Sequence, residues 1–242
     1  MSALPTVLVV AQFQEHARTG HSCVQDNGFC PSWIADNWDR YTTPLLQHVE
    51  LTVIALVAGF AIALGLALIA HRRRWLVPPI IAITGVMYTL PSIAVFFILQ
   101  PVTGRGRTTA LIALTAYTLL ILFRNMLTGL REVPTEVKEA AEGMGLTRRQ
   151  MLLRVEIPLA MPAIVAGVRV ATVTTISLAT IAAFITPLGL GAPIFNAIQS
   201  GANTEFVGAS LLAIALALLA DVLIVTLQRV VSPWTRARRQ SA

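Results

Sequence analysis

Leu51-Thr-Val-Ile-Ala-Leu-Val-Ala-Gly-Phe-Ala-Ile-Ala-Leu-Gly-Leu-Ala-Leu-Ile-Ala70 is a run of 20 residues without a charge. A helix of that length rises about 30 Å, the thickness of the hydrocarbon core of a bilayer. A membrane strand needs only about 10 residues and alternates apolar with polar side chains, which this run does not do. Four more stretches behave alike. Residues 78–99 carry no charge, and 108–123 are uncharged and continue past Arg124 to Gly129. Residues 161–185 carry only Arg169, and 207–228 only Asp221. The chain therefore reads as an all-α integral membrane protein of about five transmembrane helices. Composition agrees: 55% of the 242 residues are hydrophobic and 12% charged, against about 25% charged in soluble domains.

The formal charge is +6, and Lys138 is the only lysine. A nucleic-acid surface needs many bases gathered on one folded face; here they lie in short clusters between apolar runs, so no nucleic-acid partner is expected. His71-Arg-Arg-Arg74 follows the first run. Arg131, Lys138, Arg148, Arg149 and Arg154 lie between the third and fourth, and Arg229, Arg236, Arg238 and Arg239 follow the fifth. The opposite side has Arg18, Arg40, Arg105 and Arg107. Lys and Arg in short loops stay cytoplasmic, which places the N-terminus outside and the C-terminus inside. The chain divides into an extracytoplasmic segment 1–44, a transmembrane part 45–231 with a cytoplasmic loop 131–160, and a basic tail 232–242 that can touch anionic lipid or enforce topology. Trp33, Trp38 and Tyr41 suit the membrane interface. Cys23 and Cys30 share an oxidising compartment on this topology. A local disulfide is favoured; an unpaired thiol is the alternative. His16 and His21 stand nearby, but the spacing fits no compact metal site.

Loop 131–160 is long for a connection within a bundle. Pro134 suits the first turn of a helix, 136–142 are helix formers, and Gly143 and Gly145 end it. Thr147 with Gln150 is a capping-box pattern for a second helix, limited by Pro158 and Pro162. The result is helix–Gly turn–helix, whose small residues admit another protein closely. An amphipathic hairpin without a partner fits the same residues.

Glu139-Ala140-Ala141, Gly145 and Val155-x-Ile157-Pro158 resemble the loop motif of binding-protein-dependent ABC importer permeases: Glu-Ala-Ala, three residues, Gly, nine residues, Ile-x-Leu-Pro. Val155 and Ile157 stand where the pattern has Ile and Leu. The resemblance implies a type I ABC importer permease architecture. It implies a coupling surface (Glu139, Ala140, Ala141, Gly143, Gly145, Pro158) seated in a partner ATPase that binds ATP–Mg. It also implies a second permease subunit, identical or homologous, and an extracytoplasmic solute-binding protein. Tyr88-Thr-Leu-Pro-Ser-Ile-Ala94, Arg124-Asn125, Ile157-Pro-Leu-Ala-Met-Pro162, Ala179-Thr-Ile-Ala-Ala183 and Gly189-Leu-Gly191 are similar to glycine betaine and other osmoprotectant permeases. Glycine betaine, choline or carnitine is then the expected solute. An amino acid or another small solute carried on the same fold is the alternative.

The chain has no Gly-x-x-x-x-Gly-Lys-Ser/Thr loop, and its one lysine lies between Val137 and Glu139. ATP hydrolysis by that route must belong to another chain. Neither a compact metal pattern nor a nucleophile with a His–acid partner can be placed, so no cofactor or enzymatic activity is expected of this chain. A single intramembrane acid and no visible repeat speak against an ion-coupled secondary transporter, and the loop motif against a membrane scaffold.

Counting ~1.5 Å per residue puts Arg169 and Asp221 at a similar depth, roughly 10–15 Å from the cytoplasmic side. An intramembrane charge is costly and usually paired, so an Arg169–Asp221 ion pair is expected. Pro91 interrupts the second run, with Thr89 and Ser92 beside it. Broken helices with spare polar groups line pathways, and Thr89, Pro91, Ser92, Thr174, Thr175 and Ser177 are candidate pathway residues. Hydrogen bonding to helix carbonyls and close helix packing are the alternative.

Overall fold

The computed structural model describes residues 29–231, with side chains as far as Arg229. Helix α1 (Pro31–Asp36) is short, and α2 (Asp39–Arg72) runs for 34 residues. Then come α3 (Val77–Thr89), α4 (Ser92–Thr103) and α5 (Arg107–Arg131). The loop forms α6 (Thr135–Gly143) and α7 (Arg148–Met151). A wide π turn, Leu152–Glu156, leads into α8 (Ile157–Ile181), and α9 (Gly191–Ser200) and α10 (Asn203–Val231) complete the chain. There is no strand among the described residues.

Span one begins twelve residues before its apolar run does. Residues 30–44, read in sequence as part of an extracytoplasmic segment, join the bundle. The backbone N–H of Cys30 donates to Thr204 Oγ1 at 3.3 Å, and Ile34 and Tyr41 lie against Gly208. Tyr41 is fully buried, so it packs inside the protein rather than at the membrane interface expected for it.

The second apolar run is not one straight helix. Leu90 is extended (φ −65°, ψ 140°), as the residue before a proline prefers, and the chain bends by 101° between α3 and α4. The ends that touch give the direction of each crossing. Ala63, Ala67 and Ala70, late in α2, share a buried cluster with Leu122, Met126 and Leu130, late in α5. Leu51 and Ala55, early in α2, cluster with Ala110, Ala113 and Leu114, early in α5. Arg107 pairs with Glu50 at the same end. Helices α2 and α5 are therefore parallel, and the bent pair must return the chain between them. Val77 at its start lies in the first cluster, and Val95 and Phe96 lie in the second. The pair is one broken crossing, and the crossings among the described residues number five.

Small residues set the packing distances, as they do where helices approach closely in lipid. A Cβ on Gly59 of α2 would lie 1.9 Å from Thr118 Oγ1 of α5. A Cβ on Gly167 of α8 would lie 2.6 Å from the Cβ of Asn125. Pro158 and Pro162, expected to limit the second loop helix, do not interrupt it. The turn widens over Leu152–Glu156, and the looser register accommodates carbonyls left without a proline N–H donor. The helix then continues from Arg148 to Phe184 as a single apolar span.

Candidate functional site

At the end of the bundle where α2 and α5 finish, α6 stands out from the spans. Pro134 precedes the helix as its N-cap (φ −56°, ψ 142°) instead of occupying the first turn. The Leu146 N–H reaches back to Ala141 O at 3.1 Å and the Gly145 N–H to Glu142 O at 2.9 Å. Gly145 takes φ +78°, the left-handed conformation that closes a helix of this kind. The Thr147–Gln150 capping box then starts α7, so both halves of the hairpin follow from local chemistry.

Glu139, Ala140, Gly143 and Gly145 are exposed, and Met144 is 74% exposed. A Cβ placed on Gly143 would meet nothing within 4 Å, so no neighbour among the described residues requires a glycine there. Ala141 is the inward member of the set, 1% exposed, and Pro158 is half-buried. Ala141 faces inward and Pro158 belongs to the start of α8, and the other four present an open face.

Glu156, not singled out from the sequence, lies behind α6. It is 6% exposed, and a carboxylate withdrawn from water needs partners. Lys138 Nζ of α6 donates to its Oε1 at 3.3 Å. His71 Nε2, from the end of α2, pairs with its Oε2 at 3.1 Å. One side chain thus joins the exposed hairpin to the end of the first span and the start of the fourth. Its signal in the sequence is faint: an isolated acid in an otherwise apolar and basic stretch, with one lysine in the chain to answer it. Glu156 lines a cavity of about 300 Å³ with His71, Arg72, Lys138, Glu142 and Arg148.

At the opposite end, the fully buried His48 accepts the Leu190 N–H on Nδ1 at 3.2 Å and donates from Nε2 to Ile176 O at 3.1 Å. Both bonds are made at once only by the neutral ring protonated on Nε2. The Gly189 N–H donates to Gln47 Oε1 at 3.2 Å. Gly189 has φ +72°, and a Cβ on Gly191 would lie 2.2 Å from Thr180 O. The Gly189-Leu-Gly191 stretch is thereby fastened to the first and fourth spans.

The candidate pathway residues separate. Thr89 and Pro91 are exposed and Ser92 is half-buried at the bend, on a face that the described residues leave uncovered. The Leu90 carbonyl there accepts the Tyr117 hydroxyl at 2.7 Å. Thr174 lines a cavity of about 340 Å³ with Arg169 and Asp221, and Ser177 lines another of about 420 Å³ with Thr180, Phe206 and Ser210. Thr175 differs from the others: it is 1% exposed and bonds Ala171 O at 2.7 Å, so it faces the packed interior. Arg169 grips Asp221 with two bonds, Nε to Oδ1 and Nη2 to Oδ2, the latter 2.8 Å long. The pair is half-exposed, in the middle of two apolar helices. Cys30 is disulfide-bonded, and Cys23, the partner expected for it, lies outside the described residues, as does the basic tail 232–242. Among the described residues no group of His, Cys, Asp and Glu could hold a metal ion.

Five crossings among the described residues, the second of them broken, and a helical hairpin held out at one end on an internal ion pair define a multi-pass helical membrane protein. The sequence profile described as "Binding-protein-dependent transport system inner membrane component" matches residues 51–237, and the chain belongs to that family. The osmoprotectant import permease protein OsmW of Salmonella typhimurium is 35% identical over 208 residues, covering 83% of this chain and 96% of that one. The choline transport system permease protein OpuBB of Bacillus subtilis is 33% identical over 187 residues, covering 77% and 86%. The MetNI methionine ABC transporter, solved in inward-facing conformations, has a chain that superposes with a TM-score of 0.72 over 78% of this chain and 94% of its own. At 22% identity, that likeness speaks to the fold.

Proposed function

We propose that this chain is the pore-forming subunit of an ABC importer that brings an osmoprotectant, such as glycine betaine, choline or carnitine, into the cell. The observation that carries the reading is the open face of α6, with Glu139, Ala140, Gly143 and Gly145 exposed and Gly145 held at φ +78°. An ATPase subunit, which binds ATP–Mg, docks on that face from the cytoplasm. The solute class rests on relatives whose names include choline and osmoprotectant transport. The cytoplasmic bias of Lys and Arg supports an N-terminus outside, where a solute-binding protein delivers its cargo, and a C-terminus inside.

A second permease subunit completes the pathway. Arg169 and Asp221 are half-exposed in mid-span, and lipid is a poor neighbour for an ion pair. Protein or an aqueous pathway therefore covers this face. A broken helix is tolerated in a membrane where it borders protein or water, which extends the same requirement to the bend at Thr89, Pro91 and Ser92. No acid is placed to capture a quaternary ammonium in the membrane; aromatic capture fits the binding protein better.

The test is uptake of labelled glycine betaine after raised external osmolarity, in cells with and without this chain. Rescue by the native copy, but not by Gly145→Asp, supports both the solute class and the role of the loop. Unchanged uptake in cells without a redundant importer removes the osmoprotectant assignment. Competition with choline, carnitine and an amino acid then identifies the solute class.

A further inference from the structure

Helix α6 is nine residues long, and Ala141 is its one buried residue. It connects to the spans through Glu132–Pro134 on one side and the turn at Gly145 on the other, both narrow and mostly exposed. A short helix with so little apolar burial should pivot on its connections when pushed, because resistance to local opening comes from buried contacts. Pivoting would absorb the displacement before it reached the spans. The contact that opposes it is Lys138 on Glu156, 3.3 Å, with the other carboxylate oxygen held by His71 at 3.1 Å.

We infer that Glu156 is a positioning residue for energy coupling: through Lys138 and His71 it joins the open face of α6, the end of span one and the start of span four into one mechanical unit. Movement imposed on α6 then shifts both spans together. The carboxylate suits this role because it is largely withdrawn from water, its side chain 8% exposed. An ion pair there is little screened, and opening it would leave a charge without a partner. His71 and Lys138 reach Glu156 from elements that share no covalent turn with it, so both contacts couple separate bodies. The residue also sits in the widened turn Leu152–Glu156, at the base of the fourth span.

The inference rests on the ATPase reading above, and the experiment separates the two. The permease complex is reconstituted in proteoliposomes with its ATPase and binding protein, and solute taken up per ATP hydrolysed is measured. Failure of the native complex to link uptake to ATP would defeat the functional reading itself. Given a coupled native complex, Glu156→Gln and Lys138→Gln should each keep the ATPase bound and hydrolysing while uptake per ATP falls on the order of tenfold. The reciprocal exchange, Lys138→Glu with Glu156→Lys, should recover most of it. Lys138→Gln serves where Glu156→Gln fails to fold, since Lys138 lies at the edge of the bundle. An unchanged ratio in Lys138→Gln overturns the inference. So does loss of ATPase binding in that variant, which would make Lys138 a docking residue instead of a tether.

Discussion

Gly59→Ala adds one methyl group to the closest approach of α2 and α5, and the structure gives its consequence. The new Cβ would stand 1.9 Å from Thr118 Oγ1, 3.1 Å from Thr118 Cβ and 3.5 Å from Thr115 O. The last two distances need adjustments of a few tenths of an ångström at most; the first cannot exist. Thr118 must rotate, yet it is 1% exposed and its hydroxyl already donates to Thr115 O at 2.7 Å. Otherwise the helices must separate, loosening the Ala55, Ala63 and Ala113 contacts on either side. Overpacking of this kind costs about 1–3 kcal/mol. Alanine also gains about 1 kcal/mol over glycine in helix propensity, which obscures the single variant. A double-mutant cycle with Thr118→Ala removes that ambiguity, because the propensity gain is the same in both backgrounds and cancels. Thr118→Ala deletes the atom at 1.9 Å and leaves the tolerable contact at 3.1 Å. The coupling energy should therefore be about 1–3 kcal/mol, with Gly59→Ala better tolerated beside Thr118→Ala than alone. Reversible unfolding of the purified protein in detergent measures it. A coupling below about 0.5 kcal/mol would refute the α2–α5 contact as described.

The parallel course of α2 and α5 predicts that Glu50→Cys and Arg107→Cys are joined by a short bifunctional thiol reagent that spans the reach of the Glu50–Arg107 pair; a re-entrant course for the bent pair would keep these positions a membrane thickness apart and give no cross-link. Asp221→Asn should leave the protein inserted but lower recovery of the assembled permease on size-exclusion chromatography, and exchange of the two charges (Arg169→Asp with Asp221→Arg) should restore it. Gly145→Asp forces a side chain into φ +78°, costing about 1–2 kcal/mol; uptake should be lost at unchanged membrane levels, whereas lost insertion would point to a folding role. His48→Phe leaves the buried Leu190 N–H without an acceptor, a cost of about 1–3 kcal/mol in detergent unfolding, and equal stability of His48→Phe and the native protein would remove the fastening role given to that ring.

What the sequence made legible is what local chemistry decides. Apolar length gave the number of crossings, and Thr147 with Gln150 and the glycine at 145 gave the hairpin. Pro91 located the break in the second span but not its 101° bend. That angle depends on Val95 and Phe96 finding the early α5 cluster and on Tyr117 reaching the Leu90 carbonyl from 27 residues away. Pro158 misled for the opposite reason: a proline in a helix forbids one register, and a widened turn supplies another. Polar pairing shows the same division. Arg169 and Asp221 lie on helices that cross the same layer, so counting residues from a shared boundary places both at one height. Glu156 has no such ruler. Lys138 is on a helix outside the spans, and His71 is 85 residues away at the end of another, so neither depth nor periodicity brings them together. Contacts between a membrane span and an element outside it are thus where sequence reading is weakest, because neither span depth nor helical period relates the two.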